Sequence, residues 1–317
     1  MDLPFTLDDL AHAENFLAQG DIDRALPYLQ DLRDATEDYL ASACVTTDEV
    51  QYFSFADEFE WLAYRRVERD PRRLVPAPLP FDRLYADLGF AYIRQNEYTL
   101  ARDSLMQAVR WDPMNCAHRL NLAGVFRTLG NQQEWASLSH SVIERASDPV
   151  AAARAYVNLG RFFLDEENAA AAEGCSRAAQ RLAEGDAPVA QLAAQMADEH
   201  PEVAELSDAE AAGACEAAGV PAEPNAEMAV CLIMCATDAA AQGKTDEATR
   251  FTIRARDLVG APAAKALIQL VREADAELKA ERTADAGDAA AASDAAAPSG
   301  AGGAASTADA EGGERDA

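Results

Sequence analysis

Few side chains in this sequence have the type and spacing to do chemistry, and most kinds of chemistry are argued against. There are six cysteines and four histidines in 317 residues. Cys44, Cys116, Cys175 and Cys215 are widely separated, and Cys231 and Cys235 share one helix face at a C-x3-C spacing. Only Cys116 and His118 lie close together. A structural zinc site needs four ligands at tight local spacing, so the cysteines read as small buried apolar residues. No metal ligand and no cofactor is expected. Asp57, Glu58 and Glu60 are carboxylates of the kind used in general acid–base catalysis, but no His, Ser or Lys motif stands beside them. They read as a solvated face. There is no G-x-S-x-G, no H-E-x-x-H, and no phosphate-binding or dinucleotide-binding loop after a strand. No catalytic residue is assigned, and the chain is not expected to be an enzyme.

What remains is charge. The formal net charge of −28 argues against nucleic acid as a partner, because phosphates need a basic surface. The charge is unevenly spread. Residues 1–60 hold 15 acids against Arg24 and Arg33, residues 61–161 hold 14 arginines, no lysine and 10 acids, and residues 162–317 return to a net of −19. A guanidinium fork suits a carboxylate through two parallel hydrogen bonds, so the basic island is where an acidic partner would dock. Aromatics follow the same division: of 22, only Phe162, Phe163 and Phe251 come after residue 161. The middle of the chain is therefore its best-packed part.

The elements that must position these arginines are helices. Apolar residues make up 49% of the chain, ample for a core, and recur at spacings of three and four. The longest apolar run, Met228 to Ala236, falls short of the roughly 20 residues that span a bilayer, and MDLPFTLDDL lacks the basic and apolar regions of a signal peptide. No membrane is expected, and the location expected is the cytoplasm. From residue 81 the chain reads FDRLYADLGFAYIRQNEYTLARDSLMQAVRWDP, with Leu88, Gly89, Tyr92, Ala101, Ala108 and Pro113 at marked positions. About 34 residues on, Leu122, Ala123 and Phe126 recur, and a slightly longer step brings Leu159, Gly160, Phe163 and Ala172.

This pattern resembles the tetratricopeptide repeat (TPR) family, most completely over residues 82–115. Its physics is a pair of antiparallel helices. Gly89 and Gly160 let the first helix approach its neighbours closely, Ala101 and Ala172 sit where the two helices cross, and Pro113 and Pro149 end the second helix. No single pair buries its own apolar face, so pairs must stack. The fold class expected is all-α, a right-handed tetratricopeptide-like α-solenoid of about five to six helix pairs with a disordered C-terminal tail.

Five regions follow along the chain. Residues 1–41 are an N-terminal TPR-like hairpin whose Pro27 should bend or shorten its second helix. Residues 42–80 hold an aromatic helix, from Tyr52 to Tyr64, and a Pro-rich connector. The aromatics read as core plugging the solenoid end, with a binding patch as the alternative. Residues 81–188 are the core repeats, although Trp135 occupies a crossing position where the family has alanine. Either that pair splays or Ala136 takes the position. Residues 189–282 are degenerate hairpins, with a capping box at Ser207 and Glu210 and a closing helix over 263–281. Residues 283–317 contain no Val, Ile, Leu, Met or aromatic residue and cannot offset chain entropy, so they read as a disordered acidic Ala/Gly tail. The tail's seven acids either compete weakly for the arginines or touch nothing.

The resemblance implies where a partner binds, because the first helices of successive repeats line the concave groove of a TPR solenoid. Mapped here, those positions include Arg83, Ala86, Phe90, Ile93 and Arg94, then Asn121, Gly124 and Arg127, then Arg154, Asn158 and Arg161. Chaperone-binding relatives clamp terminal carboxylates with a Lys/Asn/Asn/Lys/Arg set. Asn121 and Arg154 match two of those five, but Ala86 and Phe90 replace the first two and Asn158 the last, so chaperone binding is not expected. The partner-binding residues are thus Arg83, Arg94, Asn121, Arg127, Arg154, Asn158 and Arg161. The function expected is an adaptor or scaffold holding an acidic peptide or protein segment. The alternatives are a module that self-associates through its ends and an accessory subunit of an enzyme complex, neither with a groove ligand. With only three lysines in the chain, the arginines could also reflect general usage or pair with acids on adjacent helices.

Overall fold

A computed structural model describes residues 2–274 and 276–277. The expected tail over 283–317 and the end of the closing helix lie outside the described residues. A first compact unit ends at Val271. It is built from α1 (Leu7–Ala18), α2 (Ile22–Ala43), β1 (Val50–Phe53), α3 (Glu58–Glu68), β2 (Arg73–Pro76), α4 (Phe81–Arg94) and α5 (Tyr98–Trp111). There follow α6 (Cys116–Thr128), α7 (Gln132–Ile143), α8 (Pro149–Asp165), α9 (Ala169–Ala183), α10 (Ala187–Glu199), a 3-10 turn at Pro201–Glu205, α11 (Asp208–Ala217), α12 (Ala226–Ala241) and α13 (Thr245–Val259). Residues 261–271 are helical as well. Among the described residues no helix is long and apolar enough to cross a membrane.

The helices begin where the sequence supplies caps. Thr6, Asn115, Asn131, Asp148, Asn168, Ser207 and Asn225 each accept amides of the following first turn, worth about 1 kcal/mol apiece. The capping box of Ser207 and Glu210 forms. Each tight hairpin turns on one left-handed residue: Gly20, Asn96, Gly130, Glu167 and Gly243, with φ of 75°, 60°, 80°, 57° and 76°. Asn tolerates that region and glutamate does not, at a cost of roughly 1–2 kcal/mol. Glu167→Gly is therefore expected to stabilise the α8–α9 hairpin by about 0.5–1 kcal/mol after glycine's larger chain entropy is set against the relief. Urea denaturation with an unchanged or lower midpoint would show the turn to be unstrained.

Three apolar clusters make the core. The first joins α1, α2, α4 and α5 around Leu29, Phe81, Leu88, Leu105 and Trp111. The second joins α7 to α11 around Ile143, Tyr156, Leu159, Cys175 and Leu192. In it α10 and α11 both pack on α9, so the fifth pair is not a simple hairpin. The third unites α3 with α12 and α13 around Phe53, Phe59, Leu232 and Phe251.

That third cluster revises the expectation for residues 42–80. They do not plug the end of the solenoid. Two short parallel strands, in the register Val50↔Arg73 to Phe53↔Pro76, bracket α3. The Ser54 amide donates to Trp111 O at 2.8 Å, while the aromatic face of α3 lies on α12. The segment thus bridges the α4–α5 repeat to the C-terminal pair. The aromatics are core, with Phe53 and Phe59 buried and the Phe53 and Phe55 rings stacked at 4.7 Å.

Three further expectations change in detail. Pro27 neither ends nor shortens α2, which runs 22 residues around it. Pro149 opens α8 rather than closing α7, because its missing N–H is harmless at a first helical position. Trp135 is accommodated by turning its indole to the Phe162 ring of α8, 6.4 Å away edge-on, while Ala136 beside it is also buried.

Candidate functional site

Between the first helices of successive pairs lies a cavity of about 530 Å³. Its walls are α6 from Asn115 to Asn121, α8 from Val150 to Arg161, Pro188 in the first turn of α10, the α7–α8 loop at Ser147 and Asp148, and Glu60 of α3. Asn115 and Asp148 cap α6 and α8, so both walls begin where an Asx side chain starts a helix.

Four of the seven sequence-predicted residues line this cavity: Asn121, Arg154, Asn158 and Arg161. Arg154, Asn158 and Arg161 recur on α8 at spacings of four and three, which places them on one face, and Asn121 comes from α6. Asn158 donates from Nδ2 to Ser139 Oγ at 3.1 Å, which fixes the amide and leaves the second Nδ2 hydrogen as its remaining donor. Arg154 pairs with Asp186 at 3.1 Å while half its side chain stays in solvent. Its exposed half can meet a ligand carboxylate, while the largely buried Asp186 holds the other side of the guanidinium in place. Arg161 makes a long contact with Gln191 at 3.5 Å. Burial and the nearby Arg127 guanidinium both lower its affinity for its proton, so it gains from any anion that arrives.

The other three lie outside the cavity lining. Arg83 is ion-paired to Glu14 of α1. Arg94 is exposed at the end of α4. Arg127 sits with its guanidinium 4.5 Å above the Trp135 ring, an arrangement that orients a cation while leaving its edge open to a second partner.

The cavity also contains residues that sequence reasoning misplaced. Glu60, expected on a solvated face, is half-buried and turned to the cavity. It stands four and three residues before the buried Tyr64 and Ala63, and the packing of α3 on α12 decides that this face is turned inward. Behind it are two buried carboxyls. Asp82 Oδ2 lies 3.1 Å from His118 Nε2. Asp112 accepts the Met114 and Asn115 amides at 3.0 and 3.1 Å. Asp82 Oδ1 and Asp112 Oδ2 find no partner. Burial first, then the charges of Glu60 and Asp82, push the Asp112 carboxyl up to about 9 against the two amides. Cys116, in the cavity wall, is pushed up to about 12 by burial, so it brings no thiolate there. Among the described residues no group of His, Cys, Asp or Glu is arranged to hold a metal ion.

Comparison with known families matches one of these helix pairs. The family model described as "Tetratricopeptide repeat" matches residues 82–115, the stretch that forms α4, α5 and the loop to Asn115. No curated protein matches the sequence. A solved structure described as "Functional Characterization of Pseudomonas Aeruginosa pilF" resembles the chain at a TM-score of 0.43 and 15% identity, covering 82% of this chain and 94% of that one. Residues 82–115 are thus matched as a tetratricopeptide repeat, and the helix pairs after them turn on left-handed residues at equivalent positions.

Proposed function

We propose that the chain is a non-enzymatic docking module that captures an acidic peptide or protein segment between α6, α8 and α10. Tetratricopeptide repeats generally bind proteins or peptides. What supports an acidic ligand is one observation: Asn121, Arg154, Asn158 and Arg161 converge on a single cavity in a chain of net charge −28. A row of guanidinium and amide groups recognises carboxylates by charge and by direction, each charge-assisted contact adding about 1.5–3 kcal/mol. Arg83, Arg94 and Arg127 are proposed as the outer part of the same surface, steering the segment rather than enclosing it.

Binding of an acetylated and amidated peptide of Asp, Gly and Ala to the full chain tests this. Arg154→Glu is expected to weaken it at least tenfold at low salt, in line with the loss of about 1.5–3 kcal/mol. Arg154→Gln, which puts no new charge beside Asp186, is expected to weaken it somewhat less. Undiminished binding by both variants at low salt would place the ligand elsewhere. Sedimentation of the same proteins reports on the rival reading, self-association, which these substitutions should leave unchanged.

A further inference from the structure

The cavity is not walled by arginine alone. Asp148 reaches it, but both of its carboxylate oxygens are committed to the Val150 and Ala151 amides at 3.1 and 3.0 Å. Glu60 is different. Its Oε2 accepts the Ala56 amide, and among the described residues it makes no ion pair. It therefore stands in the same cavity as Arg154 and Arg161 without an ion-paired base.

The groups around it work against that charge. Asp57 caps α3 beside it, Asp82 faces it from α4 with His118 behind, and Asp112 faces it from the loop after α5. Within the cavity lie Asp148, Arg154 and Arg161. On the far side Arg254 of α13 is the nearby base, but its guanidinium is engaged by Ser147, lies 3.9 Å from Asp57 and stacks over Phe59. Burial, and then the repulsion of Asp57 and Asp82, push the Glu60 carboxyl up to about 7, opposed by the Ala56 amide and Arg254.

We propose that Glu60 is a proton-controlled wall of this cavity, so that an acidic segment is held while Glu60 is protonated and released as it ionises. The inference rests on the docking reading above and adds its regulation. With Glu60 neutral, a ligand carboxylate meets two guanidinium groups and only the Asp148 carboxylate against it, whose oxygens are held by the Val150 and Ala151 amides. With Glu60 ionised, the ligand meets a like charge in a partly desolvated space, where Coulomb repulsion is far stronger than in water. Binding therefore takes up protons near neutral pH. A single group titrating near 7, wholly protonated in the complex, limits the change in affinity to about tenfold between pH 6 and pH 8.

The experiment is calorimetric titration of the full chain with the acetylated and amidated Asp/Gly/Ala peptide at pH 6, 7 and 8 and constant ionic strength. The wild-type protein is expected to bind about three- to tenfold more tightly at pH 6 than at pH 8. Glu60→Gln is expected to bind at every pH as the wild type does at pH 6. Titrating the wild type at pH 7 in two buffers of different ionisation enthalpy is expected to show net proton uptake, and this requires no variant. Zero proton uptake, or a pH slope that Glu60→Gln leaves intact, overturns the assignment to Glu60 while the docking reading stands. Absence of binding at all three pH values overturns both.

Discussion

Gly174→Ala is expected to destabilise the protein by about 3 kcal/mol, at the upper end of the range for overpacking. A Cβ built on Gly174 would lie 2.3 Å from the Ala211 carbonyl oxygen and 2.8 Å from Cys215 Cβ. These atoms belong to α11, and a backbone carbonyl cannot turn aside as a side-chain end can. Here α9 and α11 cross so closely that the Cys175 and Cys215 sulfurs are 3.5 Å apart. Making room for one methyl means moving α11 as a body away from the cluster it helps close. Gly124→Ala is the contrasting substitution. It lies in α6 with nothing within 4 Å of an added Cβ, so it should gain about 0.5–1 kcal/mol from the helix preference of alanine. Thermal unfolding should move the two variants in opposite directions, Gly174→Ala by about 6–12 °C downward at roughly 2–4 °C per kcal/mol. A Gly174→Ala protein as stable as the wild type would mean that the α9–α11 contact is looser than its geometry.

The second large effect is on stability against pH. Asp112 is held up to about 9 by burial and by Glu60 and Asp82. Asp87 is held up to about 7 by burial and Glu14, against Arg83, and Glu60 lies at about 7 as described. In the unfolded chain such carboxyls ionise near pH 4. Between about pH 4 and pH 9 the folded protein thus binds more protons than the unfolded one, and stability falls as pH rises through that window. The contribution is complete below the unfolded value and gone above the folded one, the reverse of an ion-paired carboxylate. The melting temperature is expected to be higher at pH 6 than at pH 9 by about 5–10 °C, taking about 2–3 kcal/mol for carboxyls that relax and hydrate when charged. Asp112→Asn keeps an acceptor for the Met114 and Asn115 amides and cannot ionise. It should leave stability at pH 5 nearly unchanged and recover about 1–3 kcal/mol at pH 9. A melting temperature flat from pH 5 to pH 9, or an equal slope in the variant, would show these carboxyls to be ionised in the folded protein.

Much of this molecule is written in local sequence, because helix pairs are decided by short-range rules. Caps, turn residues and the three-and-four apolar spacing lie within a few positions of one another, so the repeat at 82–115, the N-terminal hairpin and the box at Ser207 and Glu210 were legible directly. The resemblance to the repeat family mapped Asn121, Arg154, Asn158 and Arg161 to one surface, and it mapped Arg83, Arg94 and Arg127 there too, which lie outside the cavity. What tertiary structure alone decided are contacts between segments far apart in the chain. Phe53 and Phe59 join one cluster with Leu232 and Phe251, 173 to 198 residues further along the sequence, and no spacing rule relates them. That packing turns Glu60 inward and brings it beside Asp82 and Asp112, so a carboxylate that reads as solvent-facing becomes part of the cavity. Gly174 likewise reads as an ordinary weak point in a helix until α11 is laid across it. Local free energies choose the helices. Which faces are left wet, and therefore which charges are costly, depends on how the pairs fold back upon one another.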